Sequence, residues 1–148
     1  VLALLFKCIE AFSASFFRLH AIDGRVKSTS MFEVMVEKHF AAAHHLLNYR
    51  GKCENPHGHN YVVQVFAKKD TLDKANVAFD FTILKSELGQ VVDDLDHRDL
   101  NLFPDFNGES PSAEYIARYV YQRIKKNVPE ITKACVYETP TQCACYFE

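Results

Sequence analysis

No block of lysine or arginine occurs in this chain. The longest basic clusters are the pairs Lys68–Lys69 and Lys125–Lys126, and 17 basic against 19 acidic residues leave a formal net charge of -2. A nucleic-acid-binding surface needs a basic stripe or patch, so that class is not supported. A long uninterrupted apolar run is also missing. The first stretch, VLALLFKCIEAFSASFF, is broken by Lys7 and Glu10, whereas a spanning helix needs about 20 predominantly apolar residues. A secretory leader would carry a basic stretch ahead of its apolar one, and none stands there. Three readings of residues 1–30 are open: a start codon placed too far upstream of Met31, a genuine extension, or a signal-like segment. Cysteine is sparse and unframed. Cys8, Cys53, Cys135, Cys143 and Cys145 are odd in number and lack framework spacing, so the expectation is a reducing cytoplasm and no disulfide scaffold. Internal repeats and low-complexity tracts are absent too.

What is present is the composition of one globular domain. The 148 residues are 48% hydrophobic and 24% charged, enough to bury a real core. The expected domain is 31–148, with 1–30 set apart as an N-terminal extension. From Met31, MFEVMVEKHF alternates, with Phe32, Val34 and Val36 on one side and Glu33 and Glu37 on the other, which predicts a half-buried strand. HGHNYVVQVFAKK resumes a period of two through Tyr61, Val63, Val65 and Ala67 and predicts its partner. VAFDF reads as a short strand ending at Asp80, a good N-cap for the helix after it. In that helix Leu84, Leu88, Val91 and Leu95 recur at helical spacing, with Gly89 a tolerated weak point. After the loop RDLNLFPDFNGES, Ser110 is expected to cap a second helix with Pro111 at its first position; Ala113, Ile116, Ala117, Val120 and Ile124 form its stripe. ITKACVYETPTQCACYFE predicts two further strands broken at Pro140. Segregated strands and helices of this kind favour an antiparallel α+β architecture.

The chemistry gathers in GKCENPHGHNYVVQV. Residues two apart on a strand face the same way, so His57 and His59 project together while Gly58 leaves the backbone between them uncrowded. Two adjacent imidazoles are half of a zinc site, and His44 or His45 could supply a third from the preceding strand. Three histidines with an open position are the pattern of a catalytic zinc, whereas four protein ligands close a structural one. Cys53 fits either scheme: as the fourth ligand, or as a thiolate base near the metal, where cationic surroundings lower a thiol's pKa. Asp96 beside His97 can tune a proton shuttle, although a helix C-terminus also welcomes an imidazolium. Glu138 shares a strand face with Ala134 and Val136, so its carboxylate needs a partner; a planar ligand offering two N–H donors would serve. Cys135, Cys143 and Cys145 are expected simply to pack; the Cys-Ala-Cys run could bind metal in principle, though its neighbours supply no further ligands.

Together, FAAAHHL, CENPHGHNY, FDF, LDHRDLN, PSAEYIA and YETPT resemble the 6-pyruvoyl-tetrahydropterin synthase superfamily, and most of all its 6-carboxytetrahydropterin synthase branch from bacterial queuosine biosynthesis. The resemblance runs from about Met31 to Glu148. It implies zinc held by His44, His57 and His59, with His45 where many members carry Arg. It implies Cys53 as general base, Asp96 and His97 completing a catalytic triad from a neighbouring subunit, and Glu138 anchoring the pterin. The Ser112 position, often Thr in the family, would lie near that ring. The implied fold is the tunnelling fold: a four-stranded antiparallel sheet with two helices on one face, three sheets closing a barrel and two trimers stacking into a homohexamer. The implied reaction is a lyase acting on 7,8-dihydroneopterin triphosphate in the cytoplasm. Its product would be 6-carboxytetrahydropterin with acetaldehyde, or a 6-pyruvoyl compound if the reaction stops after triphosphate elimination. From a different class stands a non-catalytic zinc-binding assembly with Cys53 as fourth ligand.

Overall fold

The computed structural model describes residues 31–148, so the expectations for 1–30 lie outside the described residues. The alternating stretches form long strands, β1 at Phe32–His44 and β2 at His57–Lys69, paired antiparallel along their whole length from Phe32↔Lys69 to His44↔His57. Even-numbered β1 residues such as Val36 and Phe40 are buried, as are Tyr61, Val63, Val65 and Ala67 on β2. Period-two alternation thus puts one apolar face on a single core. The alanines after Phe40 extend β1 further than its alternating pattern did.

Helix α1, Phe81–Leu95, begins where Asp80 Oδ1 accepts the Thr82 N–H at 2.7 Å, the expected N-cap. Leu84, Leu88, Val91 and Leu95 are buried on its inner face. VAFDF, however, is not a strand: residues 77–80 are irregular and Phe81 already belongs to the helix. Short apolar runs do not distinguish a strand from a packed helix approach, and here Phe79 leans on the core without a sheet partner.

A two-residue strand, β3 at Arg98–Asp99, pairs parallel to β1 at Ala42 and Ala43, in a segment expected to be loop. Helix α2 spans Ala113–Lys125, and its cap is Ser112, whose Oγ accepts the Tyr115 N–H at 3.3 Å. Ser110 and Pro111 therefore lie before the helix and not at its cap and first turn. Ser110 Oγ accepts from Leu47 N instead, at 2.9 Å, and the Pro111 carbonyl is drawn into the site described below. Ile116, Ala117, Val120 and Ile124 are buried as expected, and Tyr121 joins them.

Strands β4, Ile131–Thr139, and β5, Gln142–Phe147, turn at Pro140. The sheet order is β3-β1-β2-β4-β5. It is a five-stranded mixed sheet, not four antiparallel strands, because the short β3 covers the outer edge of β1; covering an edge in this way blunts its capacity to pair with another chain. Both helices share the core with one face of the sheet. A second correction concerns the cysteines. Cys135 and Cys145 are register partners across β4 and β5 and are joined by a disulfide; the sequence spacing concealed this because the pairing depends on strand register.

Candidate metal and pterin site

At one end of the β1–β2 ladder the buried face changes from aliphatic to imidazole. Phe40 stacks on its register partner Tyr61, with ring centroids 4.7 Å apart, and forms the floor. Beyond it His44, His57 and His59 converge, with centroid separations of 4.5 Å for His44–His57, 5.2 Å for His44–His59 and 4.9 Å for His57–His59. One ligand atom from each lies within 4.8 Å of the others. Gly58 eases the packing between the two β2 histidines, since a Cβ there would stand 3.3 Å from the Ala42 carbonyl oxygen, a tight contact.

The tautomers follow from the neighbours. His44 Nδ1 lies 2.7 Å from the Pro111 carbonyl and His57 Nδ1 2.8 Å from the Asn55 carbonyl. A carbonyl only accepts, so in each ring Nδ1 carries the hydrogen and Nε2 keeps its lone pair. Carbonyls that orient ligating imidazoles in this way are a regular feature of metal sites. His44 is 2% exposed, and burial is the main cause that pulls its pKa below the ordinary value, against the Pro111 carbonyl and the Glu138 charge, which raise it. It is thus held neutral, the form that binds a cation. The Nε2 atoms of His44 and His59 are buried without a hydrogen-bond partner, a costly state that a bound metal relieves. The three imidazoles therefore fit a metal ion with an open coordination position. The choice between His44 and His45 follows from the β1 register, in which His44 pairs with His57, and Asn101 pins the next residue. The Asn101 side chain accepts the His45 N–H at 2.8 Å and donates to the His45 carbonyl at 2.9 Å, holding the backbone just past the strand end, while the buried face of β1 runs through Phe40 and Ala42 to its last residue, His44.

Glu138 points to the same face. Its Oε1 lies 3.8 Å from His44 Nε2, and its side chain is one-quarter exposed. Tyr61 went unnoticed in the sequence as anything but a core residue, yet its hydroxyl is buried without a partner. Burial, and then the Glu138 charge, push its pKa up. The available signal was the continued period: His57, His59 and Tyr61 are successive residues of one strand face.

Cys53 sits in a one-turn 3-10 segment, Lys52–Glu54, half-buried with a free thiol. Its carbonyl accepts the Leu46 N–H at 2.8 Å, tying this loop to the end of β1 near His44. Cys53 does not belong to the cluster of meeting donor atoms. Asp96 and His97 follow α1 and clamp the outer edge of β1. Asp96 Oδ1 accepts the Ala41 N–H at 2.8 Å, and the His97 N–H returns to the Ala41 carbonyl at 2.6 Å. Asp96 Oδ2 lies 2.8 Å from His97 Nδ1. The Ala41 amide first, and His97 second, hold the Asp96 carboxyl below the usual range. His97 adopts φ 56°, the left-handed turn common just past a helix end, and its ring is 82% exposed. It borders an open groove whose lining also includes Ala41, Ala43, Gly58, Asn60 and, from the histidine cluster, His59. Ser112, at the α2 cap, uses one lone pair for Tyr115 and keeps its O–H to donate.

A mixed α+β sheet backed by two helices, with three histidines on strand ends able to hold a metal ion and a carboxylate beside them, defines a protein of the tunnelling-fold class. The chain belongs to the family described as 6-pyruvoyl tetrahydropterin synthase, whose profile matches residues 33–148. It is 34% identical over 123 residues to the 6-carboxy-5,6,7,8-tetrahydropterin synthase of Synechocystis, covering 79% of this chain and 94% of that one. It is 30% identical to the Bacillus subtilis protein of the same name, covering 78% and 84%. The structure of Caenorhabditis elegans 6-pyruvoyl tetrahydropterin synthase superposes with a TM-score of 0.73 at 27% identity, covering 81% and 97%. The chain is accordingly an enzyme of the tetrahydropterin synthase type. No helix among the described residues is long and apolar enough to cross a membrane.

Proposed function

We propose that this protein is a zinc-dependent lyase converting 7,8-dihydroneopterin triphosphate to 6-carboxy-5,6,7,8-tetrahydropterin, acetaldehyde and triphosphate, a step toward 7-deazapurines such as queuosine. The observation that carries the metal half is the convergence of His44, His57 and His59, with the Nε2 atoms of His44 and His59 buried and unpartnered. The substrate half is supported by relatives named 6-carboxytetrahydropterin synthase at 29–34% identity over most of this chain.

Zinc, when bound, would supply Lewis-acid polarisation of the substrate's side-chain oxygens, making the adjacent C–H acidic. The protein's own groups do the rest. Glu138 receives two N–H donors of the pterin ring, and the ring displaces water from the buried end of the site, where the carboxylate strengthens as an acceptor. The Ser112 hydroxyl donates toward the same ring. Cys53 removes the side-chain proton as general base, a task suited to a thiol because its ordinary pKa lies near the working pH. His97, oriented by Asp96, returns a proton to the ring system. The exposed His97 serves the site of a second copy of this chain in the proposed assembly, a homohexamer of two stacked trimers in the cytoplasm.

A 6-pyruvoyl-forming reaction, ending at triphosphate elimination, is the second reading. It draws on the Caenorhabditis elegans relative named putative 6-pyruvoyl tetrahydrobiopterin synthase, 31% identical over 123 residues. Mass spectrometry of the products from zinc-loaded protein and 7,8-dihydroneopterin triphosphate separates the two. 6-Carboxytetrahydropterin with acetaldehyde is the expected result. A 6-pyruvoyl product selects the second reading, and untouched substrate with zinc bound overturns both.

A further inference from the structure

The cysteines outside the histidine site form a second cluster. Cys143 and Cys145 lie two apart on β5, so they face the same side, and Cys135 is the register partner of Cys145 on β4. Ala134 and Val136, the neighbours of Cys135 on β4, are in the core; the three thiol positions therefore occupy the opposite, helix-free face of the sheet. Ligand atoms of all three lie within 4.8 Å of one another, and Cys143 Sγ is 3.7 Å from Cys145 Sγ. A Zn–S bond of about 2.3 Å in tetrahedral geometry puts neighbouring sulfurs about 3.8 Å apart. The Cys143–Cys145 edge already has that length.

We propose that Cys135, Cys143 and Cys145 form a thiolate site for a soft cation, zinc among them, that exists in the reduced chain and is closed by the Cys135–Cys145 disulfide. Three features support a ligand set over mere packing. Three sulfurs meet at one point, whereas a structural disulfide needs two. The third, Cys143, is exposed with a free thiol, which leaves access for an ion and for a water in the fourth position. And three thiolates select thiophilic d10 ions over hard cations. In a reducing compartment the disulfide is not the resting form. A dithiol reductant passes two electrons and two protons to the Cys135–Cys145 bond and is itself oxidised to its disulfide; cation binding then displaces the thiol protons. Oxidation removes two of the three ligands, so occupancy reports the redox state.

The test is zinc uptake by the full chain, reduced with a dithiol and desalted without oxygen, against the same chain in its disulfide form. The reduced protein is expected to bind one equivalent more than the oxidised protein. Cys143→Ser, an exposed position whose change leaves the core untouched, is expected to lose that equivalent and keep the histidine-site metal. Cobalt substitution is expected to give a sulfur-to-metal charge-transfer band in the wild type that is lost in Cys143→Ser, so that any contribution from Cys53 cancels in the comparison. Equal uptake in reduced, oxidised and Cys143→Ser protein, without a difference band, overturns the proposal. Failure of the histidine site would lower every count by one and leave the difference intact, so the two readings fall separately.

Discussion

His44 and His57 face each other as register partners across the β1–β2 ladder, their ring centroids 4.5 Å apart, and each is oriented by a backbone carbonyl from a different loop. A cross-strand pair fixes spacing, and the carbonyls fix which nitrogen faces inward. The consequence is a histidine triad, able to hold a metal ion, whose geometry the fold sets by itself. His57→Ala removes one of three ligands while leaving the buried His44 and the ladder in place. Purified His57→Ala is expected to retain no stoichiometric zinc after dialysis while keeping a wild-type circular dichroism spectrum. Full metal content in that variant would remove His57 from the ligand set.

Cys53 stands outside the imidazole cluster, and this separates its two possible roles in an experiment. Cys53→Ala is expected to bind zinc as the wild type does and to lose about 10²- to 10⁴-fold in kcat, the range for loss of a general base. Loss of zinc together with loss of folded structure would instead identify Cys53 as a structural ligand.

The course of the chain was readable wherever one side-chain period dominated. The faces of β2 follow from its alternation, and Leu84, Leu88, Val91 and Leu95 mark the buried side of α1. Ala41, Ala42 and Ala43 carry no contrast between faces, so the sequence could not show that β1 continues to His44, nor whether His44 or His45 points inward. That choice follows once β1 is seen to continue in register through the alanines to His44, with Asn101, 56 residues further along, holding only the His45 backbone. β3 was invisible for the same kind of reason, since two polar residues become a strand only because the Asp96–His97 turn is clamped to Ala41. The Cys135–Cys145 bond needed the β4–β5 register. At the site, the histidines, Cys53 and Glu138 stood out by residue type, whereas the Pro111 carbonyl and the Tyr61 hydroxyl gain their roles only from the three-dimensional arrangement.

Ser112 combines a cap with a place near the site. Its Oγ accepts the Tyr115 N–H, and loss of such a cap costs about 1 kcal/mol. Ser112→Ala is expected to lower stability by about that amount in urea titration and to raise KM for the pterin, whereas Ser112→Thr keeps the hydroxyl and leaves both near wild type. An unchanged KM in Ser112→Ala would confine the residue to capping.

Glu138 is a carboxylate beside the histidines on the apolar face, 3.8 Å from His44 Nε2. A hydrogen bond to a charged partner is worth about 1.5–3 kcal/mol, so Glu138→Gln is expected to weaken pterin binding roughly tenfold to a hundredfold. Zinc content is expected to be unchanged. Calorimetric titration with a pterin ligand measures the first and metal analysis the second; equal pterin affinity in the two proteins would exclude the anchor role.

The Asp96–His97 turn gives a pH signature with a definite sign. The Ala41 N–H, and then His97, depress the Asp96 carboxyl in the folded chain, whereas in the unfolded chain it returns to about 3.9. The folded state therefore binds this proton less readily than the unfolded state does, and stability rises with pH across the interval between the two values. The contribution of Asp96 is fully present above about pH 4 and disappears as pH falls through the depressed folded value. Asp96→Asn removes the charge and the titration together but leaves an oxygen able to accept from Ala41. Urea midpoints measured from neutral pH down to acid are expected to show the wild type more stable at neutral pH, with the two proteins converging below pH 4. Because Asp96 also orients His97, the variant is expected to lose kcat even at neutral pH, where both proteins are folded. A constant gap between the two stability curves down to the lowest pH would show that Asp96 acts through shape and not through charge; an unchanged kcat would detach the pair from catalysis.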